Sequence, residues 1–386
     1  MKHFPRATHW VLFWLALAIS APAQSVVINE IMYHPASENV LEEYIELYNR
    51  GATNVSLGGW SFTSGVAFTF PAGTTLGAGG YLVVAAHRQT FTNKYPTVTN
   101  VVGNWTGILN NHDQTLTLVH SNGATMDSVS FADEGDWATR RRGLVDYSPR
   151  RGWKWYAPHD GLGASLELIN SALPNQYGQN WAASPTNAPT PGRVNAAANA
   201  NIAPLVLDVA HAPAVPRSTN NVSVTARVLD EQASSNLIVT LFYRVDAAIQ
   251  VTFSSTNMVD DGLHGDGLAG DGIFGATLLA RPNNTVVEFY VRAADMQANT
   301  RTWPAPALAA ADGGVDSGGG QVVNALYQVD GSSLNTFGGS PAAPATPNYQ
   351  PVYKLIMTEI VSPCAIIVKP RDNKCRLSRS RASSIE

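Results

Sequence analysis

Asp260, Asp261, Asp266 and Asp271 place four carboxylates within twelve residues, with glycines between them. Calcium takes about six to eight oxygen ligands, and glycine lets one loop curl tightly enough to supply several of them. Carboxylates this close repel one another without a cation. The spacing departs from the EF-hand loop, which alternates its acidic ligands and ends on glutamate. Two readings follow: a calcium site, or an ion-free run of Asp-Gly turns. His264, inside the loop, reads as a solvated residue rather than a transition-metal ligand.

A second group combines Trp137, Arg140, Arg141, Arg142, Trp153 and Trp155. Aromatic rings stack on sugars or bases, and guanidinium groups pair with carboxylate, sulfate or phosphate. The mixture suits docking onto an acidic polysaccharide or another cell-surface polymer. The alternative is a long insertion that packs its tryptophans on the domain and exposes its arginines.

Glu30, Glu43 and Glu46 are the remaining acidic candidates. Glu43 and Glu46 are three positions apart, which on a strand puts them on opposite faces. That spacing does not make a carboxylate pair for acid–base chemistry. They read as structural, through hydrogen bonds to turn backbone or pairing with a basic group. His34, His112, His120 and His159-Asp160 are scattered without metal-ligand spacing. No nucleophile elbow, P-loop or dinucleotide fingerprint occurs. The expectation is a chain without catalytic activity.

The elements that must position these groups are strands. Val26–Met32 is short and largely apolar, and 43–48 alternates polar with apolar residues, the period of a half-buried strand. Further strand patterns fall at 66–70, 80–85, 114–119 and 125–131, the last two separated by the hairpin-forming Ser121-Asn122-Gly123. Residues 134–163 break this rhythm, and strand character returns at 165–169. A linker is expected over 196–204. A second β-sandwich-like module is expected over 205–304, with strands at 222–228, 238–244 and 285–293. The Ala/Gly/Pro-rich stretch 305–350 reads as another linker, with one short strand pattern at 322–329. The fold class is therefore all-β.

Composition bounds the setting. Charged residues make up 14% and hydrophobic residues 45%, so each module can bury a core beneath a weakly charged surface. A net charge of -4 gives no field for tracking phosphates, and nucleic acid is not an expected partner. Lys2 and Arg6 precede an apolar run of ten residues from Trp10 to Ile19, followed by Ala21-Pro22-Ala23. The run is shorter than the roughly 20 residues that span a bilayer, and it reads as a signal peptide over 1–23. Localisation outside the cell or at its surface follows, with no membrane span after cleavage. Cys364 and Cys375 are the only cysteines, so no disulfide framework holds the body together.

Four motifs in order carry a family resemblance: Val27-Ile28-Asn29-Glu30-Ile31-Met32-Tyr33, Glu43-Tyr44-Ile45-Glu46-Leu47-Tyr48-Asn49, Leu57-Gly58-Gly59-Trp60-Ser61-Phe62, and the closing Pro191-Gly192-Arg193-Val194-Asn195. With these motifs, residues 26–195 resemble a lamin tail domain. The resemblance implies an immunoglobulin-like β-sandwich and a role in binding protein, or in some members nucleic acid, with no ligand common to the family. The order of modules also resembles exported bacterial proteins that continue into a spore-coat-type, CotH-like kinase domain. Residues 351–359 are similar to the entry of that domain. From Ile360 the composition turns basic and loses its pattern, so 351–386 reads as a truncated or aberrant tail.

The expected function is that of an exported structural or interaction protein, the lamin tail-like domain mediating binding outside the cell. Two other readings stand beside it. One is an accessory N-terminal part of a truncated CotH-like kinase. The other is a nuclease-associated module that binds nucleic acid.

Overall fold

The computed structural model describes residues 25–145, 151–246, 252–313 and 317–331, together with the strand pair Thr336–Phe337 and Ser340–Pro341. The signal-peptide reading of 1–23 and the tail 351–386, with the kinase-like entry and both cysteines, lie outside the described residues.

The first module contains, in order, β1 (Val26–Met32), β2 (Tyr44–Asn49), β3 (Val55–Ser56), β4 (Ser61–Ser64), β5 (Phe68–Thr69), β6 (Thr75–Leu76), β7 (Tyr81–Ala85), α1 (Arg88–Lys94), β8 (Val101–Gly103), β9 (Asp113–Val119), β10 (Thr125–Ala132), β11 (Thr139–Val145), β12 (Arg151–Tyr156), β13 (Leu166–Leu168) and β14 (Trp181–Ala183). A six-stranded sheet runs β14-β13-β1-β2-β7-β8, and a four-stranded sheet runs β10-β9-β4-β5. Ile28, Ile31, Ile45, Leu47, Phe62, Leu116, Leu118 and Phe131 fill the space between them. This is the face-to-face packing of a sandwich, driven by the apolar side chains of alternate strand positions.

The six-stranded sheet is covered on its outer face too. Met32, Tyr44, Val83 and Ala85 pack there against Phe91 of α1. Beside them the chain leaving β14 crosses the same face as a strap over residues 190–197. Every residue of β1 is therefore buried. Gly192, at the crest of the strap, has φ +80, and a Cβ there would lie 2.9 Å from Val98 Cγ1. Gly192→Ala is expected to cost about 1–2 kcal/mol, read as a lower denaturation midpoint with an unchanged m-value.

The second module contains β15 (Leu205–Ala212), β16 (Val222–Leu229), β17 (Ile238–Val245), β18 (Ser254–Met258), β19 (Ile273–Leu278), β20 (Val286–Ala294), β21 (Thr300–Trp303) and β22 (Ala325–Gln328). One sheet runs β15-β16-β19, and the other runs β18-β17-β20-β21 with β22 also paired to β20. The two pack around Val224, Leu241, Phe274, Phe289, Val291 and Tyr327. The all-β class and the tandem sandwich-like architecture are as the sequence predicts.

Described parts of both expected linkers pack onto the modules. Within 196–204, Ile202 is buried with Leu173, Leu205 and Leu207. Gln179 exchanges two hydrogen bonds with Val206, Nε2 to the carbonyl and N–H to Oε1, each 2.8 Å. Arg301 donates to the carbonyls of Pro204 and Gln179 at 2.9 Å. Within 305–350, β22 completes the second sheet and Tyr327 is 2% exposed, so that module runs past residue 304. Small residues give both stretches the composition of flexible chain, while Ile202 in one and Tyr327 and Val329 in the other anchor described parts of them.

Candidate functional site

The segment 134–163, irregular by sequence, forms a two-stranded hairpin from β11 and β12 that belongs to neither sheet of the sandwich. Its register pairs Arg140 with Trp155, Arg142 with Trp153 and Arg141 with Lys154. Directly opposed residues share a face, so Arg140, Arg142, Trp153 and Trp155 lie together and Arg141 and Lys154 lie on the reverse. The Arg140 guanidinium sits 4.8 Å from the Trp155 ring centre, and that of Arg142 sits 4.1 Å from Trp153. On the reverse face Arg141 stacks at 3.9 Å on Tyr156. Trp153 and Trp155 each remain 38% exposed.

None of the three arginines makes an ion pair among the described residues. Stacking engages the π face of a guanidinium; the Nε groups of Arg141 and Arg142 are buried, which leaves the terminal N–H groups for a carboxylate, sulfate or phosphate. It also restricts the side chain, which lowers the ordering cost of binding. The free edge of β11 is anchored to the second module: Leu308 N–H donates to Arg140 O at 2.7 Å, and Arg142 N–H donates to Leu308 O at 3.1 Å.

Trp137 stands apart from this face. It packs on Trp181 at 5.7 Å, and its carbonyl accepts from His159 Nε2 at 2.9 Å. Five of the six Arg/Trp candidates thus belong to the hairpin, and Trp137 belongs to the flank of the sandwich. At the base of the hairpin a cleft of about 730 Å³ has Trp155 and Tyr156 on one wall and Asp113, Asp133, Glu134 and Asp160 on the other. Its carboxylates repel an anion, which directs an acidic ligand to the exposed Arg/Trp face.

The Asp/Gly loop folds its carboxylates onto its own backbone. Asp266 is fully buried and accepts N–H groups from Asp261, Gly262 and His264 at 2.9, 2.8 and 2.7 Å. Asp260 accepts from Gly270, Asp271 and Gly272, and Asp271 accepts from Leu268 and Ile273. Only Asp261, His264 and Asp266 bring ligand atoms within 4.8 Å of one another, and Asp260 and Asp271 stand outside that group. Calcium takes oxygen ligands, and here each of these carboxylates accepts N–H groups of the loop's own backbone. His264 is drawn in as well, its Nδ1 3.0 Å from Asp261 Oδ1.

The remaining glutamates make a site that local spacing did not reveal. Glu46 on β2, Glu30 on β1 and Glu167 on β13 are direct register partners, so three buried carboxylates form one row across the outer face. Glu30 Oε1 accepts from Tyr44 OH at 2.6 Å, Ser165 Oγ at 2.6 Å and Thr190 N–H at 3.0 Å. Glu167 accepts from Thr190 Oγ1 at 2.6 Å and Ala197 N–H at 2.8 Å. Glu46 accepts from Gly192 N–H and, at 2.9 Å, from Asn29 Nδ2. Asn195 completes the lock: it accepts from Asn29 Nδ2 at 2.8 Å and donates to the carbonyls of Asn29 and Leu168. Each carboxylate therefore holds backbone of the strap, as the structural reading of Glu30 and Glu46 predicts, and none pairs with a basic group among the described residues. Glu43 lies elsewhere, ending the 3-10 turn before β2 and accepting from Leu109 N–H at 2.9 Å. The available signal for Glu167 was a glutamate flanked by leucines inside a strand.

Asn29, Glu30, Glu46, Gly192 and Asn195 come from three of the four sequence motifs and converge on this lock. Residues 19–133 match the family model for the Lamin Tail Domain. The match ends after β10, while β13, β14 and the strap complete the six-stranded sheet from residues beyond it. Comparison with the curated proteins gives no match. The first sandwich of this chain, immunoglobulin-like in fold, carries a lamin tail domain.

Proposed function

We propose that this chain is an exported, non-catalytic binding protein that docks an acidic polysaccharide of the cell surface through the hairpin β11–β12. The observation that carries the reading is Arg140 and Arg142, stacked beside the two exposed tryptophans Trp155 and Trp153 and without an ion pair among the described residues, in a chain of net charge -4. An immunoglobulin-like lamin tail domain fits an interaction role. The basic and apolar pattern of residues 1–23 supports export, and no helix among the described residues is long and apolar enough to cross a membrane. The kinase-accessory reading rests on residues outside those described. The nuclease-associated reading has no nuclease motif in the sequence behind it.

The test is binding of the full chain to immobilised uronate- or sulfate-bearing glycans. Arg142→Ala combined with Trp153→Ala is expected to weaken binding at least about tenfold, the loss of one charge-assisted contact and one stacking surface. Retention should also fall with salt. Binding by the double variant equal to wild type would end the proposal.

A further inference from the structure

Glu30 is placed between Glu46 and Glu167, both its direct cross-strand partners. All three are fully buried. Three donors converge on Glu30 Oε1, while Oε2 is buried and has no donor. For an ionised carboxylate this is a costly arrangement, with one oxygen saturated and the other stripped of water. A proton on Oε2 removes the charge from the carboxyl whose two register partners are also buried carboxylates.

We propose that the Glu46–Glu30–Glu167 row holds a proton taken from solvent, and so clamps the strap 190–197 more firmly in mildly acidic than in neutral or alkaline surroundings.

The groups facing the row allow this. Tyr44 and Tyr95 contribute hydroxyls near Glu30, and Tyr81 lies near Glu46. No lysine or arginine pairs with any of the three among the described residues, and Arg193 on the strap is exposed. Burial raises the Glu30 carboxyl from its ordinary 4.5 to about 7, with the Glu167 charge adding to it against the bonds from Ser165 and Tyr44. Burial and the Glu30 charge raise Glu46 as well. The folded row keeps its proton to a higher pH than the released chain does. Its contribution to stability is therefore complete below about 4.5 and is lost as pH rises through about 7.

Hydrogen exchange of the full chain, corrected for intrinsic rates, reads the strap directly. Opening of 190–197 should increase at least about tenfold between about pH 5 and about pH 7, the linkage slope for one proton being about tenfold per unit. Strands of the opposite sheet should not follow. Glu30→Gln mimics the protonated form and should cut the response below about threefold, with Glu46→Gln giving a second reading. Infrared spectroscopy of the wild type should show the C=O stretch of a buried protonated carboxyl at neutral pH, diminished in either variant. A strap whose exchange ignores pH, or a response unchanged in both variants, would overturn the proposal.

Discussion

Replacing Glu30 with alanine should cost the first module about 3–5 kcal/mol, the largest loss expected from one side chain in it. Tyr44 OH, Ser165 Oγ and Thr190 N–H all donate to the one oxygen that the substitution removes. A buried donor left without an acceptor costs about 1–3 kcal/mol, and the vacated volume adds a cavity term. Relief of repulsion within the row and of carboxyl desolvation offsets part of that sum. The check is chemical denaturation at about pH 6, where the row is largely protonated. Glu30→Gln keeps an acceptor for the three donors and should lose less than half as much. A loss below about 1 kcal/mol for the alanine variant would mean that the strap, and not the carboxyl, holds those donors in place.

Asp266→Ala should have a comparable effect on the second module, about 2–4 kcal/mol, because three backbone N–H groups within one loop lose their acceptor together. Burial pushes this carboxyl up, but the N–H groups of Gly262, His264 and Asp261 outweigh burial and hold it below its ordinary 3.8. The sign is therefore opposite to that of Glu30. The Asp266 contribution is present above about 3.8 and is lost as pH falls through the lower folded value. Acid weakens the loop of the second module, whereas rising pH loosens the strap of the first. Calorimetry of the full chain at several pH values should show that divergence. An Asp266→Ala variant that melts like wild type would contradict the picture of a loop closed by its own carboxylates.

The sequence made the strands of the first sandwich legible because their periodicity and turns are local. Motif residues could be quoted without revealing that they meet. Glu30 and Glu46 are separated by a turn, and Glu167 follows an entire second sheet, so only the register of β13 on β1 brings the row together. The Asp/Gly loop stays open between two readings for a related reason. Aspartates separated by glycines can bind an ion or bond to the N–H groups those glycines expose, and spacing alone does not separate the two. The hairpin hid because its arginines interrupt the alternation of apolar and polar residues. Its strand pairing rests on cross-strand stacking of arginine on tryptophan and tyrosine. In 305–350 alanine and glycine give linker composition, and the short strand pattern at 322–329 marks where Tyr327 and Val329 enter the core.

The strap has a mechanical meaning as well. The chain leaves the first sandwich through 190–197 and enters β15 at Leu205. Tension applied from the second module, once the contacts of Gln179, Arg301 and Leu308 part, reaches the sandwich along this segment. The bonds from Glu30, Glu46, Glu167 and Asn195 then stand between the load and β14, while β1 and β2 lie paired at the centre of the sheet.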